Sequence, residues 1–445
     1  MITARILLPA LLVVAIVLQA LVPKRRVLIV TSAAALSCLA STLLGVATAP
    51  RLFAEVPWDV LVILVALGVI SRMLAEARLF DRLAVAATRA SRADAVRILA
   101  VFAVTMYLVS GLVNNITALV LVLPVLHVLL KLAGPSQRYV SWTIGLLLVA
   151  CNLGGAATPI GDFPAILMLS GGRMTFVGYL RLAAPATFVA LLILLVLVLL
   201  VVRPAVGVAR DPVTARLTRS VVEAMHRRIT LDRRTFVPAA VCLALMIAAW
   251  ALLPQAWGVT PDLVCWLGVG LALVLRHKLG EKLVRSGIDA EATLFLLSLF
   301  LMVAAVRRTG MFDELARSIQ RLPLSDAGQL VAFLLLAGLV TGIFSAGPSM
   351  AALLEVADAL ARRMPPHAVY VGLALAVCAG SSLFLTAATS GPLAQALTER
   401  ADIRDPEGNP VRFGFFDFLP AGLLSFCVIE VVAIGYGLLA LRGVL

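Results

Sequence analysis

Along the chain, apolar residues come in long runs separated by short charged or Pro/Gly-rich stretches. A helix needs about 20 predominantly apolar residues to cross the hydrocarbon core of a bilayer. Runs at 6–22, 27–49 and 58–77 predict three spans. A basic, partly amphipathic connector follows at 78–97, then two shorter runs, 98–113 and 116–130, separated by Asn114-Asn115. An interrupted segment covers 139–172, and a further span 176–202. After a polar, Arg-rich stretch at 203–235 the pattern resumes with spans at 236–254, 259–275 and 289–307 and a connector at 308–325. Runs 326–345 and 349–361 then flank Ser345-Ala346-Gly347-Pro348; a second interrupted segment covers 367–398, and a last span 418–441 follows a polar loop.

This order predicts an all-α polytopic membrane protein: one transmembrane repeat over 1–202, a basic cytoplasmic linker over 203–235 and a second repeat over 236–445. The halves read as copies. Asp59 aligns with Glu291, and Phe80-Asp81 with Phe312-Asp313, at an offset that also sets Asn114-Asn115 on Ala346-Gly347. A slightly smaller offset sets Cys151 on Cys378, Gly154-Gly155 on Ser381-Ser382 and Pro164 on Pro392. Similarity among Leu/Ala-rich helices accounts for the apolar matches. It does not account for charged, Pro and break positions recurring in the same order.

The arms around Asn114-Asn115 are too short to span and are flanked by Arg97 and Lys131, which predicts a re-entrant hairpin. Five spans and one hairpin per half is an odd count, so the two repeats are expected to be inverted. With Lys24–Arg26 in the cytoplasm, 26 of the 37 lysines and arginines fall on that side, the positive-inside bias. Both chain ends then come out periplasmic in a bacterial-type inner membrane. Arg307, Arg308, Arg362 and Arg363 run against the bias. The apolar run 6–22 is followed by basic residues and a second apolar run, with no A-x-A-like site, and is read as a retained helix.

Composition agrees: 62% of residues are hydrophobic, 14% are charged, and mean hydropathy is +1.06. The net charge of +13 resides in short loops, which argues against nucleic-acid binding. The six cysteines lie in apolar segments without CxxC spacing and read as free thiols. No G-x-x-x-x-G-K-[ST] fingerprint is present, so nucleotide drive within this chain is not expected. Four scattered histidines form no catalytic cluster, and the chain carries no sizeable soluble domain; an enzyme or a receptor is disfavoured. No cofactor is expected beyond Na⁺ or H⁺ as coupling ion.

The stretch Ala150–Pro164, ACNLGGAATPIGDFP, holds three glycines and two prolines and cannot be one continuous helix. Irregular backbone at membrane depth must be buried in protein or line a watery cavity, and a broken helix carrying polar groups is a pointer to a transporter site. Break one supplies Asn152, Gly154, Thr158 and Asp162, and the adjoining hairpin tip supplies Asn114, Asn115 and Thr117. Amide oxygens of Asn114, Asn115 and Asn152 suit a hard cation such as Na⁺, while a half-helix N-terminus favours an anion. Tip two and break two offer Ser345, Ser349, Ser381, Ser382, Thr386, Thr389 and Ser390, with no Asn or Asp. Small-residue helix packing is the competing role for these hydroxyls. Asp162 and Glu430 are the intramembrane carboxylates that could relay a proton. His127 reads as packed or solvated, and Glu355 and Asp358 as facing an aqueous vestibule. Cys151 and Cys378 could meet a soft metalloid, although packing is the better reading. No Lys or Arg lies in any tip or break, so an anion would rely on helix ends, hydroxyls and a bound cation.

NLGGAATPIGDFP at 152–164 and NNITALVLVLPV at 114–125 resemble signatures of the ion-transporter superfamily. That group embraces arsenite-permease/NhaD-type permeases, citrate-transporter-like carriers and, more distantly, divalent-anion/sodium symporters. LFDRLA and MFDELA are similar to its repeated post-helix segment. The resemblance implies an elevator-type or rocking secondary carrier, a homodimer, with ion sites at the two hairpin tips. Carried over by motif, Asn114, Asn115, Thr117, Asn152, Thr158 and Asp162 form site one; Ser345, Ser349, Ser381, Ser382 and Thr386 form site two. Tip two lacks the Asn common in the family, the Ser-Asn-Thr motif of dicarboxylate symporters is absent, and Phe163-Pro164-Ala165 replaces the usual Pro-Pro-Asn. The expected function is transport of a small ion, an organic or inorganic anion first, driven by a Na⁺ or H⁺ gradient. Cation/proton antiport is the alternative, followed by arsenite-type efflux.

Overall fold

The structure, a computed structural model, describes residues 2–444 except 23–24, 93, 134, 206–219, 221–229, 254–257, 287–289, 389 and 406. Most of the linker expected at 203–235, and Thr389, lie outside the described residues. The first half comprises α1 (Ile2–Leu21), α2 (Arg26–Leu43), α3 (Ala49–Ala54), α4 (Trp58–Glu76), α5 (Leu79–Ser91), α6 (Ala95–Ser110), α7 (Asn115–Ala133), α8 (Gln137–Ala157), α9 (Phe163–Leu167) and α10 (Phe176–Leu197). The second comprises α11 (Arg233–Leu252), α12 (Pro261–Leu275), α13 (His277–Ser286), α14 (Ala290–Arg307), α15 (Met311–Gln320), α16 (Asp326–Phe344), α17 (Ala346–Leu360), α18 (Pro366–Ser381), α19 (Gly391–Ala401) and α20 (Phe415–Leu441). Among the described residues, eight helices are long and apolar enough to cross a membrane. The protein is a multi-pass membrane protein.

Helix starts follow local chemistry. Side-chain oxygens of Asp94, Ser136, Thr175 and Ser325 accept backbone N–H groups at the starts of α6, α8, α10 and α16, satisfying donors that a helix leaves orphaned. The stretches expected as connectors at 78–97 and 308–325 prove to be helices α5 and α15. Phe80, Ala84, Ala87 and Ser91, and Phe312, Ala316 and Ile319, are buried at helical spacing, so each presents an apolar stripe with polar residues opposite. The hairpin arms are unequal. α6 is short, whereas α16 has 19 residues and counts by length among the eight candidate spans.

Hydrogen bonds show where the hairpins turn back. Tyr139 Oη, at the start of α8, donates to Ala95 O, at the start of α6, over 2.7 Å. The intervening hairpin α6–α7 therefore enters and leaves on one side. In the second hairpin, Gln320 Nε2 meets Ala359 O at 3.5 Å and Gln329 Nε2 meets Gln320 O at 3.0 Å, tying the start of α16 to the end of α17.

Loop contacts sort into two groups. Lys282 pairs with Glu76, Arg276 with Asp232, and Gln137 with the backbone of Arg412, all from stretches that charge assigns to the cytoplasm. Arg308 pairs with Glu55, Arg307 with Glu355, Arg5 with Glu314 and Arg173 with Asp358, all from the other side. Arg307 and Arg308, which run against the positive-inside bias, are thus both held by carboxylates. The end of α14 meets the start of α4, so these two helices run antiparallel.

The halves interlock. α4 packs on α11 and α12 of the second half, while its counterpart α14 packs on α1 and α2 of the first. These six helices form a frame. Short helices α3 and α13 lie against the frame, and α5–α10 and α15–α20 form a second body in which α6 lies on α8, α16 on α18, α8 on α18 and α10 on α20. The returning arm of each hairpin packs on the half-helix of the other repeat, α7 on α19 and α17 on α9. His127 lies in that contact, its Nε2 3.1 Å from Thr398 Oγ1, and is a packed residue.

Candidate functional site

α6 and α8 run side by side, so the tip of hairpin one reaches the point where α8 breaks. Helix α8 ends at Ala157, where Thr158 turns extended and Pro159 follows. Thr158 Oγ1 donates to Gly111 O over 2.6 Å and accepts Ile160 N–H at 3.2 Å, stitching the break to the tip. Asp162 then caps α9, its Oδ1 accepting Phe163 N–H at 2.9 Å, and Asn115 Nδ2 donates to Asp162 Oδ2 at 2.9 Å. Ser110 Oγ lies 2.5 Å from Asn115 Oδ1 and 2.7 Å from Cys151 O. A side chain on Gly155 would meet Asn115 Oδ1 at 2.5 Å, so glycine there leaves room for this pair.

The Asn side chains expected to face a cation are occupied structurally. Asn114 Oδ1 caps α7 by accepting Thr117 N–H at 2.8 Å, and it is the backbone of Thr117 that makes this bond. Asn152 Nδ2 crosses to the other repeat, meeting Ser381 O at 3.2 Å and Ser382 Oγ at 3.1 Å. An amide oxygen has two lone pairs, so Asn114 and Asn115 each keep acceptor capacity. Gly154 serves a close helix contact: a Cβ there would run into the Tyr107 backbone of α6.

At tip two, Ser345 holds φ 76° and ψ 160°, a region that side chains avoid. Ser381 and Ser382 both donate to Cys378 O at 2.9 Å. Three further hydroxyls, Thr341, Ser349 and Ser390, are buried without a hydrogen-bond partner among the described residues. By the sequence offsets, Ser349 stands at the position matching Thr117 and Ser390 at the position matching Asp162. Thr386 is exposed.

One cavity of about 200 Å³ lies between the two tips and the frame. Asn114, Asn115 and Asp162 line it from the first repeat, and Ser345–Pro348 and Thr386 from the second. Its far wall belongs to the frame: Gln19 of α1, Arg26 of α2, Leu64 of α4 and Phe295 of α14. Arg26 and Gln19 escaped the sequence reading, because Arg26 counted only as a cytoplasmic charge and Gln19 as one polar residue in an apolar run. Ser110 and Thr341 were legible only as residues one turn before each tip.

Other expected groups lie elsewhere. Glu430 is 3% exposed, and neither carboxyl oxygen has a hydrogen-bond partner among the described residues. It packs against Gly338 of α16 and lines neither this cavity nor the Asn115–Asp162 cluster. Glu355 and Asp358 are engaged rather than facing an open vestibule: Glu355 pairs with Arg307 at 3.3 Å, and Asp358 binds Arg173 Nε at 2.7 Å and Tyr370 Oη at 2.9 Å. Cys151 and Cys378 are buried, with Cys151 Sγ 3.4 Å from Asn115 O.

The sequence pattern of the citrate transporter (CitMHS) family matches residues 11–258 and 256–444. The chain belongs to this family. The ion-transporter resemblance carried by residues 114–125 and 152–164 is thereby borne out. An uncharacterised transporter of Mycobacterium tuberculosis is 29% identical over 371 residues, 82% of each chain. The magnetosome protein MamN of Paramagnetospirillum magneticum is 27% identical over 383 residues, 85% of each chain. Among solved structures, the fold is similar to Neisseria gonorrhoeae MtrF, described as illuminating a class of antimetabolite efflux pumps, with TM-score 0.53 and 13% identity over 91% of this chain and 84% of that one. It is also similar to the Alcanivorax borkumensis YdaH transporter, with TM-score 0.50 and 15% identity over 90% and 88%. This CitMHS-family chain is a membrane transporter.

Proposed function

We propose that the protein is a secondary active transporter, built from two inverted repeats, that carries a small organic or inorganic anion by alternating access, coupled to a Na⁺ or H⁺ gradient. The observation that carries this reading is the shared cavity, walled on one face by both hairpin tips and both helix breaks and on the other by four helices of the frame, α1, α2, α4 and α14. Movement of one body against the other would expose such a cavity to either side. The antiparallel course of α4 and α14 and the crossed packing of the halves support the inversion. The family's description as citrate transporters favours an anion. The partly buried carboxylate of Asp162 and the orphan hydroxyls at Thr341, Ser349 and Ser390 are the groups to hold a coupling ion. A homodimer in the bacterial inner membrane belongs to the same reading.

Cation/proton antiport is the second reading, favoured by Asp162 itself, a carboxylate in the cavity wall. Proteoliposomes holding a trapped pH dye separate the two. A Na⁺ gradient without organic anion that moves protons, and loses this in Asp162→Asn, establishes antiport. Silence until citrate or another anion is added establishes anion transport.

A further inference from the structure

We propose that Arg26 and Gln19 of the frame form the recognition site for one carboxylate of a di- or tricarboxylate substrate, and that the Glu291 carboxylate is an internal stand-in that the substrate displaces. The inference rests on the anion-transport reading above and names its substrate class. Arg26 opens α2 at the cavity wall, and its Nε meets Glu291 Oε1 at 3.3 Å. Its guanidinium stands 5.9 Å from the ring centre of Phe295, which lines the same cavity. The contact with Glu291 is single and long, and the terminal guanidinium nitrogens have no hydrogen-bond partner among the described residues. Arginine's planar fork is shaped for a carboxylate held by two parallel bonds, a geometry this pair does not use. The Glu291 side chain is 62% exposed, so releasing it to water costs little.

Gln19 is the independent observation. It is 7% exposed, lines the cavity, and its Nε2 has no acceptor among the described residues. A buried amide donor without a partner is an unfavourable arrangement that a ligand oxygen would relieve.

The opposite wall recognises a second anionic group by other means. Helices α7 and α17 both begin at the cavity, and helix N-termini carry partial positive charge and free N–H groups. Two anion-favouring walls, one on each body, suit a molecule with separated carboxylates. Asp162 lies on the same wall as α7 with the opposite sign, so a cation at Asp162 must bind before or with the substrate. Because Arg26 and Gln19 belong to the frame, movement of the tips separates the two halves of the site and releases the substrate.

The test uses the full chain in proteoliposomes and in nanodiscs, with citrate as probe, succinate as the dicarboxylate and acetate as the single-carboxylate control. Arg26→Gln is expected to raise the citrate KM about tenfold or more with the maximal rate nearly unchanged, since charge-assisted bonds of this strength are lost. Arg26→Lys recovers part of the affinity, and Gln19→Leu weakens citrate binding in nanodiscs. Glu291→Gln lowers the KM by removing the competitor. An Arg26→Gln variant with unchanged KM overturns the proposal. So does a Glu291→Gln variant whose KM rises, which would make the pair a strut between α2 and α14. If Arg26→Gln does not insert, Glu291→Gln alone decides. Wild-type protein that takes up neither citrate nor succinate under either gradient overturns this inference, and the anion reading falls with it only if no other organic or inorganic anion is carried. Citrate uptake with unaltered variants overturns the inference alone.

Discussion

The side-chain amide of Asn115 donates to Asp162 Oδ2 over 2.9 Å across 47 residues of sequence. It binds the tip of a re-entrant hairpin to the cap of a half-helix, so neither element can shift without the other. The coupling is measurable. Asn115→Ala and Asp162→Asn are each expected to abolish gradient-driven transport, and in thermal unfolding their effects are expected to be non-additive by about 0.5–3 kcal/mol, as for residues in direct contact. A double-mutant cycle on detergent-solubilised protein reads this directly; strict additivity would mean that the hydrogen bond contributes nothing.

The two adjacent glycines of break one separate stability from transport. A methyl on Gly154 strikes the Tyr107 backbone, which cannot give way, so Gly154→Ala is expected to destabilise by about 1–3 kcal/mol. At Gly155 the neighbour is the Asn115 side chain, which can move. Gly155→Ala is expected to lower the melting temperature less than Gly154→Ala and to cost more transport per unit of stability. The reverse order would count against the site as drawn.

Asn152 is the bridge between the two breaks. Asn152→Ala leaves Ser381 O without its cross-repeat donor in a buried position and is expected to cost about 1–3 kcal/mol. Unfolding followed by tryptophan fluorescence tests it, with Asn152→Asp as the variant that keeps the shape but loses the donor.

Ser345 stores backbone strain at the second tip. Ser345→Gly is expected to stabilise the protein by about 1 kcal/mol, because glycine takes this conformation without steric cost. A fall in transport alongside the rise in melting temperature would show that the strained tip serves the cycle.

Two ion pairs join the frame to the second body, Arg5 to Glu314 and Arg307 to Glu355. Arg5, Glu314 and Arg307 are each more than half exposed whereas Glu355 is mostly buried, so the first pair is worth about 1 kcal/mol or less and salt reaches both through their arginines. Glu355→Gln is expected to shift the resting balance between conformations, seen as altered maleimide labelling of a cysteine placed at Thr386. That shift should shrink at high salt.

Much of this molecule was readable before any coordinates. Apolar run lengths and the Gly/Pro breaks are local properties, and they placed most of the long apolar helices to within a few residues, whereas the short helices α3, α5, α13 and α15 were not recognised as such. The duplicated order of Asp59/Glu291, Cys151/Cys378 and Pro164/Pro392 exposed the repeat, and the residues around Asn114 and Asp162 marked one half of the site. Partner choice was not local. Whether Asn114 faces a cation or caps its own helix, and whether Asn152 serves the first break or crosses to Ser382, depends on which backbone the fold brings within 3 Å or so. Arg26 carries the same lesson. In sequence it is one of three consecutive basic residues after an apolar run, indistinguishable from any topology-setting charge; only the packing of α2 on α14 puts it in the cavity wall opposite the two tips. Hydrophobic burial and backbone hydrogen bonding act along each segment and so are written in its sequence, whereas the meeting of side chains from separate segments is decided when the helices assemble.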